Sequence, residues 1–395
     1  MPRVNPHILV WARETAGYDL SEAAKKLQLS HSKDASAEEK LAAYESGEKP
    51  PSRLLLVKMS KRYRRPLLTF YLEAPADRGE DFRTLPNAID PSQNAIVDAL
   101  FRNIKARQEI IRDALISEGD QTPLEFVGSY NLDQGVHGLV NLIKHRVTID
   151  LEEYRSKRTQ EDAFRYLRDR VEHLGIFSIL AGNLGSHHTN LSTDVFRGFA
   201  IADSVAPFVV INDQDAKSAW PVTLLHEVAH IWLGTTGISG SIAERKVERF
   251  CDKVASELLV PEEEIEGRFP YDELADFNSA VRAIDQFASA RKVSSRLVSF
   301  RLLTQTAISA EMYNALSKHF LVRWREEKER QKQRAKDTDS GPSYYALKHM
   351  RVGSALIEAS ERLMRSGELS TTQAATVLGV RAIKVGNLLT QSRAA

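Results

Sequence analysis

His226 and His230 stand four residues apart, with Glu227 beside the first, inside the run Thr223-Leu224-Leu225-His226-Glu227-Val228-Ala229-His230-Ile231-Trp232. On a helix, positions i and i+4 share a face, so both imidazoles can offer a neutral nitrogen to one zinc ion. Glu227 need not bind the metal. It can accept a proton from an attacking water and return it to a leaving amine, which is the division of labour of H-E-x-x-H in metallopeptidases. The alternative is a helix whose histidines are ordinary core or surface residues. Against it stands the rest of the run, which is apolar on nearly every other face. Three ionisable groups on such a helix need compensation, and a metal ion supplies it.

A catalytic zinc site takes three protein ligands and leaves a fourth position open. The chain has one cysteine, Cys251, so no Cys-rich site and no intramolecular disulfide is available. The third ligand is therefore sought among His, Asp and Glu. Residues 242–260 read as the next helix, stopped by Pro261, and Glu248, Cys251, Ala255, Leu258 and Leu259 form one stripe at spacings of three and four. That stripe favours Glu248 as the third ligand, with Glu244 as its competitor on the i, i+4 face. Asp252 suits a hydrogen bond to a ligand histidine, or else an ordinary capping or surface role. Cys251 reads as a small buried hydrophobe, and His187-His188 as loop surface.

The elements that must hold these residues belong to a chain of 395 residues with 42% hydrophobic side chains, enough for two or three domains. A net charge of +1 does not by itself call for a polyanionic partner. No segment reaches about 18 consecutive apolar residues and the N-terminus lacks a signal-peptide pattern, so a soluble, cytoplasmic, non-membrane protein is expected. Residues 8–72 read as several short helices. The stretch 74–94 is a Pro-, Asp- and Asn-rich connector, and 95–115 is a long packed helix. Apolar runs at 175–180, 198–202 and 206–212 change the period to that of strands in a small sheet. An edge position for the strand at 207–212 would let it pair with an extended peptide backbone. Beyond the two site helices, 279–319 read as helical, 324–336 as a charged run, 337–342 as a linker and 343–391 as a small helical unit.

Several of these segments, in this order, resemble the ImmA/IrrE family of zinc metallopeptidases: Phe196-Arg197-Gly198-Phe199-Ala200, Ala206 to Asn212, Thr223 to Gly234, and Val247 to Pro261. The resemblance implies a thermolysin-like α+β core with a small sheet. It implies His226, His230 and Glu248 as Zn(2+) ligands and Glu227 as catalytic base; where relatives often carry Asn, this chain has Asp252. It also implies cleavage of a repressor-like regulatory protein in mobile-element, stress or DNA-damage control. Residues 8–72 resemble a phage-repressor helix-turn-helix domain, closed by Leu41 to Pro50. Its insert at 31–36 and the acidic start at Glu38 and Glu39 disfavour base reading, while Lys58, Lys61, Arg62, Arg64 and Arg65 could hold phosphates of double-stranded DNA. Residues 284–303 and 369–380 resemble further helix-turn-helix passages.

The expected architecture is thus multidomain and mainly α. It has a repressor-like helical domain at 1–73, a connector and helical region at 74–174, and a peptidase core at 175–262. A winged or helix-turn-helix-like segment follows at 263–325, then a charged linker at 326–342 and a C-terminal unit at 343–395. The alternative function is a DNA-binding transcriptional regulator, or an antitoxin-like interaction protein, in which the metal site is structural.

Overall fold

A computed structural model describes residues 4–32, 35–74, 91–119, 122–185, 189–236, 242–336 and 343–392. The described chain is mainly helical, with one three-stranded sheet. It divides into two compact units, residues 1–104 with 183–196, and residues 105–182 with 197–395.

In the first unit, helices Pro6–Thr15, Leu20–Leu27, Ala37–Glu45 and Arg53–Tyr63 and the short turn Leu67–Tyr71 surround Ile8, Leu9, Leu27, Leu41, Met59 and Phe70. Each helix start follows from its sequence. Asn5, Asp19, Ser36 and Ser52 all cap with their side chains, and Ser36 and Glu39 form a reciprocal capping box. Glu39 therefore serves the helix terminus. The buried guanidinium of Arg13 grips Glu45 through Nε and Nη2 at 2.8 and 3.0 Å, tying the first helix to the third.

In the second unit, strands β1 (Phe177–Leu180), β2 (Gly198–Ile201) and β3 (Phe208–Ile211) lie in the order β1-β3-β2. β3 is parallel to β1, with Phe177 opposite Phe208, and antiparallel to β2, with Gly198 opposite Ile211. β3 is thus the central strand and is closed to an added strand on both sides. Its four residues are all buried, which explains an unbroken apolar run where one solvated face would have produced alternation.

Leu180, Ala200, Val209 and Ile211 share a core with the helix Trp220–Trp232, which carries the two histidines. Pro221 opens that helix in its first turn, where a missing N–H costs nothing. At its other end the N–H of Gly234 reaches the carbonyl of Ile231 and the N–H of Thr235 that of His230, both at 3.0 Å. This is a Schellman turn, and Gly234 supplies the required positive φ of 67°. Trp232 is fully buried and stacks on Phe126 at 4.5 Å between ring centroids. Helix Ile242–Leu259 packs along the same helix and completes the core with Cys251, Val254, Ala255 and Leu258.

Helices Phe277–Ala290, Ser295–Thr304 and Ala310–Lys336 follow. The charged run from Trp324 onward is the second half of that last helix, continuous with the residues before it. The C-terminal helices Tyr344–Val352 and Ser354–Ser366 pack against β1. There Arg168 donates from Nε to Glu172 (2.8 Å) and Ser178 Oγ (2.6 Å), and its other nitrogens reach the carbonyls of Met350 and Ser178. Glu172 in turn accepts from Ser178 Oγ, from Ser354 Oγ and from the N–H of Ala355. Gly353, at φ 86°, leaves room for the pair: a Cβ there would sit 2.3 Å from Arg168 Nη2 and 2.4 Å from Glu172 Oε1.

Candidate metal centre

The motif helix and the one after it bring His226, His230 and Glu248 together. The two Nε2 atoms are 3.1 Å apart, Glu248 Oε2 is 3.2 Å from that of His226, and Glu248 Oε1 is 3.1 Å from that of His230. Among the described residues this is the group of His, Cys, Asp and Glu side chains able to hold a metal ion. The side chain of Glu244 lies outside the described residues, as do His187 and His188.

What surrounds the imidazoles decides the chemistry. His226 Nδ1 is 2.9 Å from Asp252 Oδ1, and His230 Nδ1 is 2.8 Å from Thr235 Oγ1. The Thr235 hydroxyl donates to the carbonyl of His230 at 3.3 Å, so its oxygen is free to accept from the ring N–H. Each neutral imidazole then carries its proton on Nδ1, and both Nε2 lone pairs face the Glu248 carboxylate and each other. With both rings neutral, three acceptor groups converge on one point. Two nitrogens about 2.0–2.1 Å from one zinc ion at a tetrahedral angle lie roughly 3.3 Å apart, close to the spacing present. The donor set and its spacing fit a divalent cation.

Electrostatics repeat the point. Burial works against a charged His226, but hydrogen bonds to Asp252 and Glu248 carry its pKa well above the ordinary value. Burial raises Glu248 too, yet its bonds to His226 and His230 hold it far below the usual carboxylate range. A proton on His226 thus balances the carboxylates where a cation does not. Glu227 is buried at 6% exposure, and burial pushes its carboxyl up to about 7 despite the nearby histidines. It lies against β2: a Cβ on Gly198 would come within 2.7 Å of Glu227 Oε1.

Residues 179–303 match the family model of the IrrE N-terminal-like domain, Peptidase M78. This part of the chain is an IrrE/ImmA-like peptidase domain. No curated protein and no solved structure matches the chain. The matched span includes the helix Phe277–Ala290 and nearly all of Ser295–Thr304.

Thr235 and Gly198 are the two residues of the site that spacing did not reveal. Thr235 lies beyond the helix and reaches His230 only because Gly234 turns the chain back. A glycine directly after a helical pattern is the signal that could have pointed there. The basic residues of the first unit are distant in sequence and of mixed character. Lys61 and Arg62 are exposed, whereas Lys58 and Arg64 are half-buried. Arg65 folds inward, its guanidinium 4.1 Å from the Trp11 ring centroid and Nη2 3.0 Å from Thr15 Oγ1. No helix among the described residues is long and apolar enough to cross a membrane.

Proposed function

We propose that the chain is a zinc-dependent endopeptidase with His226, His230 and Glu248 as metal ligands and Glu227 as general base. The observation that carries this is the convergence of three acceptors whose outer atoms are already engaged by Asp252 and Thr235, inside a peptidase-family domain. When bound, zinc supplies a Lewis acid that polarises a carbonyl and acidifies water. Asp252 and Thr235 hold the two rings in the tautomer that presents Nε2. Glu227, with a carboxyl raised toward neutrality by burial, takes a proton from the attacking water and passes it to the leaving nitrogen. The glycine at 198 keeps the adjoining strand out of the way of that carboxylate.

The substrate in this reading is an extended segment of a repressor-like regulatory protein, cut in the cytoplasm in mobile-element, stress or DNA-damage control. With β3 enclosed, the strand available to the peptide is β2, which has a strand neighbour on one side only among the described residues. Gly198 is its half-buried residue beside Glu227. The thermolysin-like core and the repressor-like N-terminal domain belong to the same proposal.

Purified protein should hold about one zinc per chain, by the ligand count of a single site. Glu227→Gln should keep that zinc and lose cleavage of the repressor by roughly 10²–10⁴-fold, the usual range for a general base. Cleavage that survives this substitution, or a protein that cannot be loaded with zinc, would overturn the mechanism.

A further inference from the structure

Outside the candidate metal centre, three cations gather near Gly379: Arg107, and Lys348 and Arg351 of the helix Tyr344–Val352. Lys348 Nζ donates to the carbonyl of Gly379 at 2.7 Å. The guanidinium of Arg107 lies on the same glycine: a Cβ there would be 2.7 and 2.9 Å from its two Nη atoms and 3.0 Å from Cζ. Arg351, one turn beyond Lys348, reaches Asp213 Oδ2 at 2.8 Å. The Nε atoms of Arg107 and Arg351 are both buried without a hydrogen-bond partner.

The charges do not balance. Asp213 answers Arg351, and its other oxygen accepts from Gln214 Nε2. Gly379 ends the helix Thr371–Leu378, whose C-terminus is worth about half a negative charge. Among the described residues no carboxylate pairs with Arg107 or Lys348. Burial lowers Arg107 to about 10. Burial, with the charges of Arg107 and Arg351 behind it, lowers Lys348 to about 8. Recessed cations that repel one another are costly unless an anion joins them.

We propose that Arg107, Lys348 and Arg351 form a binding site for a small phosphate-type oxyanion beside Gly379. Arginine offers a planar fork of donors to such a group and lysine a point charge. The partial burial of Arg107 and Lys348 favours a small ion or ester over a duplex backbone, which could not follow them inward. The site shares no residue with the metal centre and stands whether or not the peptidase mechanism does.

The test uses the full chain, with unfolding temperature and titration calorimetry read against inorganic phosphate, adenosine monophosphate and sodium chloride at matched ionic strength. Phosphate or the monophosphate should stabilise the protein saturably where chloride does not. The tighter of the two identifies a free anion or an ester. Arg107→Gln should weaken that binding by roughly 10–100-fold, the effect of losing a charge-assisted hydrogen bond, and leave zinc content unchanged. Should Arg107→Gln fail to fold, Arg351→Gln serves, because its side chain is 40% exposed. Stabilisation equal to that by chloride, or binding undiminished in the folded variant, would overturn the site.

Discussion

At its β1 edge and at its β2 edge the same small sheet handles buried polar groups in opposite ways. Beside β1, each nitrogen of Arg168 finds an acceptor, and Glu172 is supplied by two hydroxyls and a backbone N–H. Beside β2, the two Nε2 atoms and the Glu248 carboxylate converge within 3.1–3.2 Å of one another, while the Nδ1 atoms are engaged by Asp252 and Thr235. A closed network of that first kind fixes the packing of helices on a strand. An arrangement of the second kind needs a proton or a metal cation at its centre, which is what makes it a candidate site.

The sharpest break of this comparison is to remove a converging acceptor. His230→Ala should abolish stoichiometric zinc, measured by elemental analysis after dialysis, because two remaining ligands cannot fill a tetrahedral site. Retention of one zinc per chain would place the metal elsewhere. The next effect belongs to the closed network. Glu172→Ala strands a buried guanidinium and should cost about 3–5 kcal/mol in denaturant unfolding, with no rescue by zinc. A loss of about 1 kcal/mol or less, typical of an exposed pair, would show that water reaches Arg168. Smaller again are the outer partners of the imidazoles. Thr235→Val and Asp252→Ala should each weaken zinc about 10–100-fold in chelator competition, and Thr235→Ser should restore the first; equal weakening by Ser and Val would make Thr235 a packing residue.

The gentlest probe is pH. His226 has a raised pKa in the folded protein, so the stability it lends the metal-free chain is full below its ordinary value of 6.5 and is lost as pH rises through the elevated one. Zinc must displace that proton, so zinc affinity should climb over the same interval and fall on acidification. Calorimetry in buffers of different ionisation heat should register proton release on binding. No buffer dependence would mean that His226 is already neutral.

The part of the site that lies within one helical turn was readable from the amino acids. His226, Glu227 and His230 declare themselves by spacing, and Glu248 by the stripe it shares with Cys251 and Ala255. The three strands were readable as well, since short β-branched and aromatic runs between turn residues have few other uses. Their order was not. A run such as Phe208 to Ile211 is equally apolar at an edge or in the middle, and only pairing with both Phe177 and Ile201 settles it. Contacts between distant residues stayed hidden for the same reason: nothing local in Met350 or Ala355 announces that they serve Arg168 and Glu172, about 180 positions earlier. Thr235 was missed because its role depends on the turn at Gly234.

Cys251 is the single thiol of the chain, fully buried one turn from Glu248, and burial raises its pKa so that it hardly ionises. It is therefore a built-in clock for the candidate metal centre. A thiol reagent can reach it only when the helix Ile242–Leu259 lifts from its neighbours, and the labelling rate counts those openings. Zinc that clasps both helices should slow the clock, whereas an anion at Gly379 has no direct lever on it.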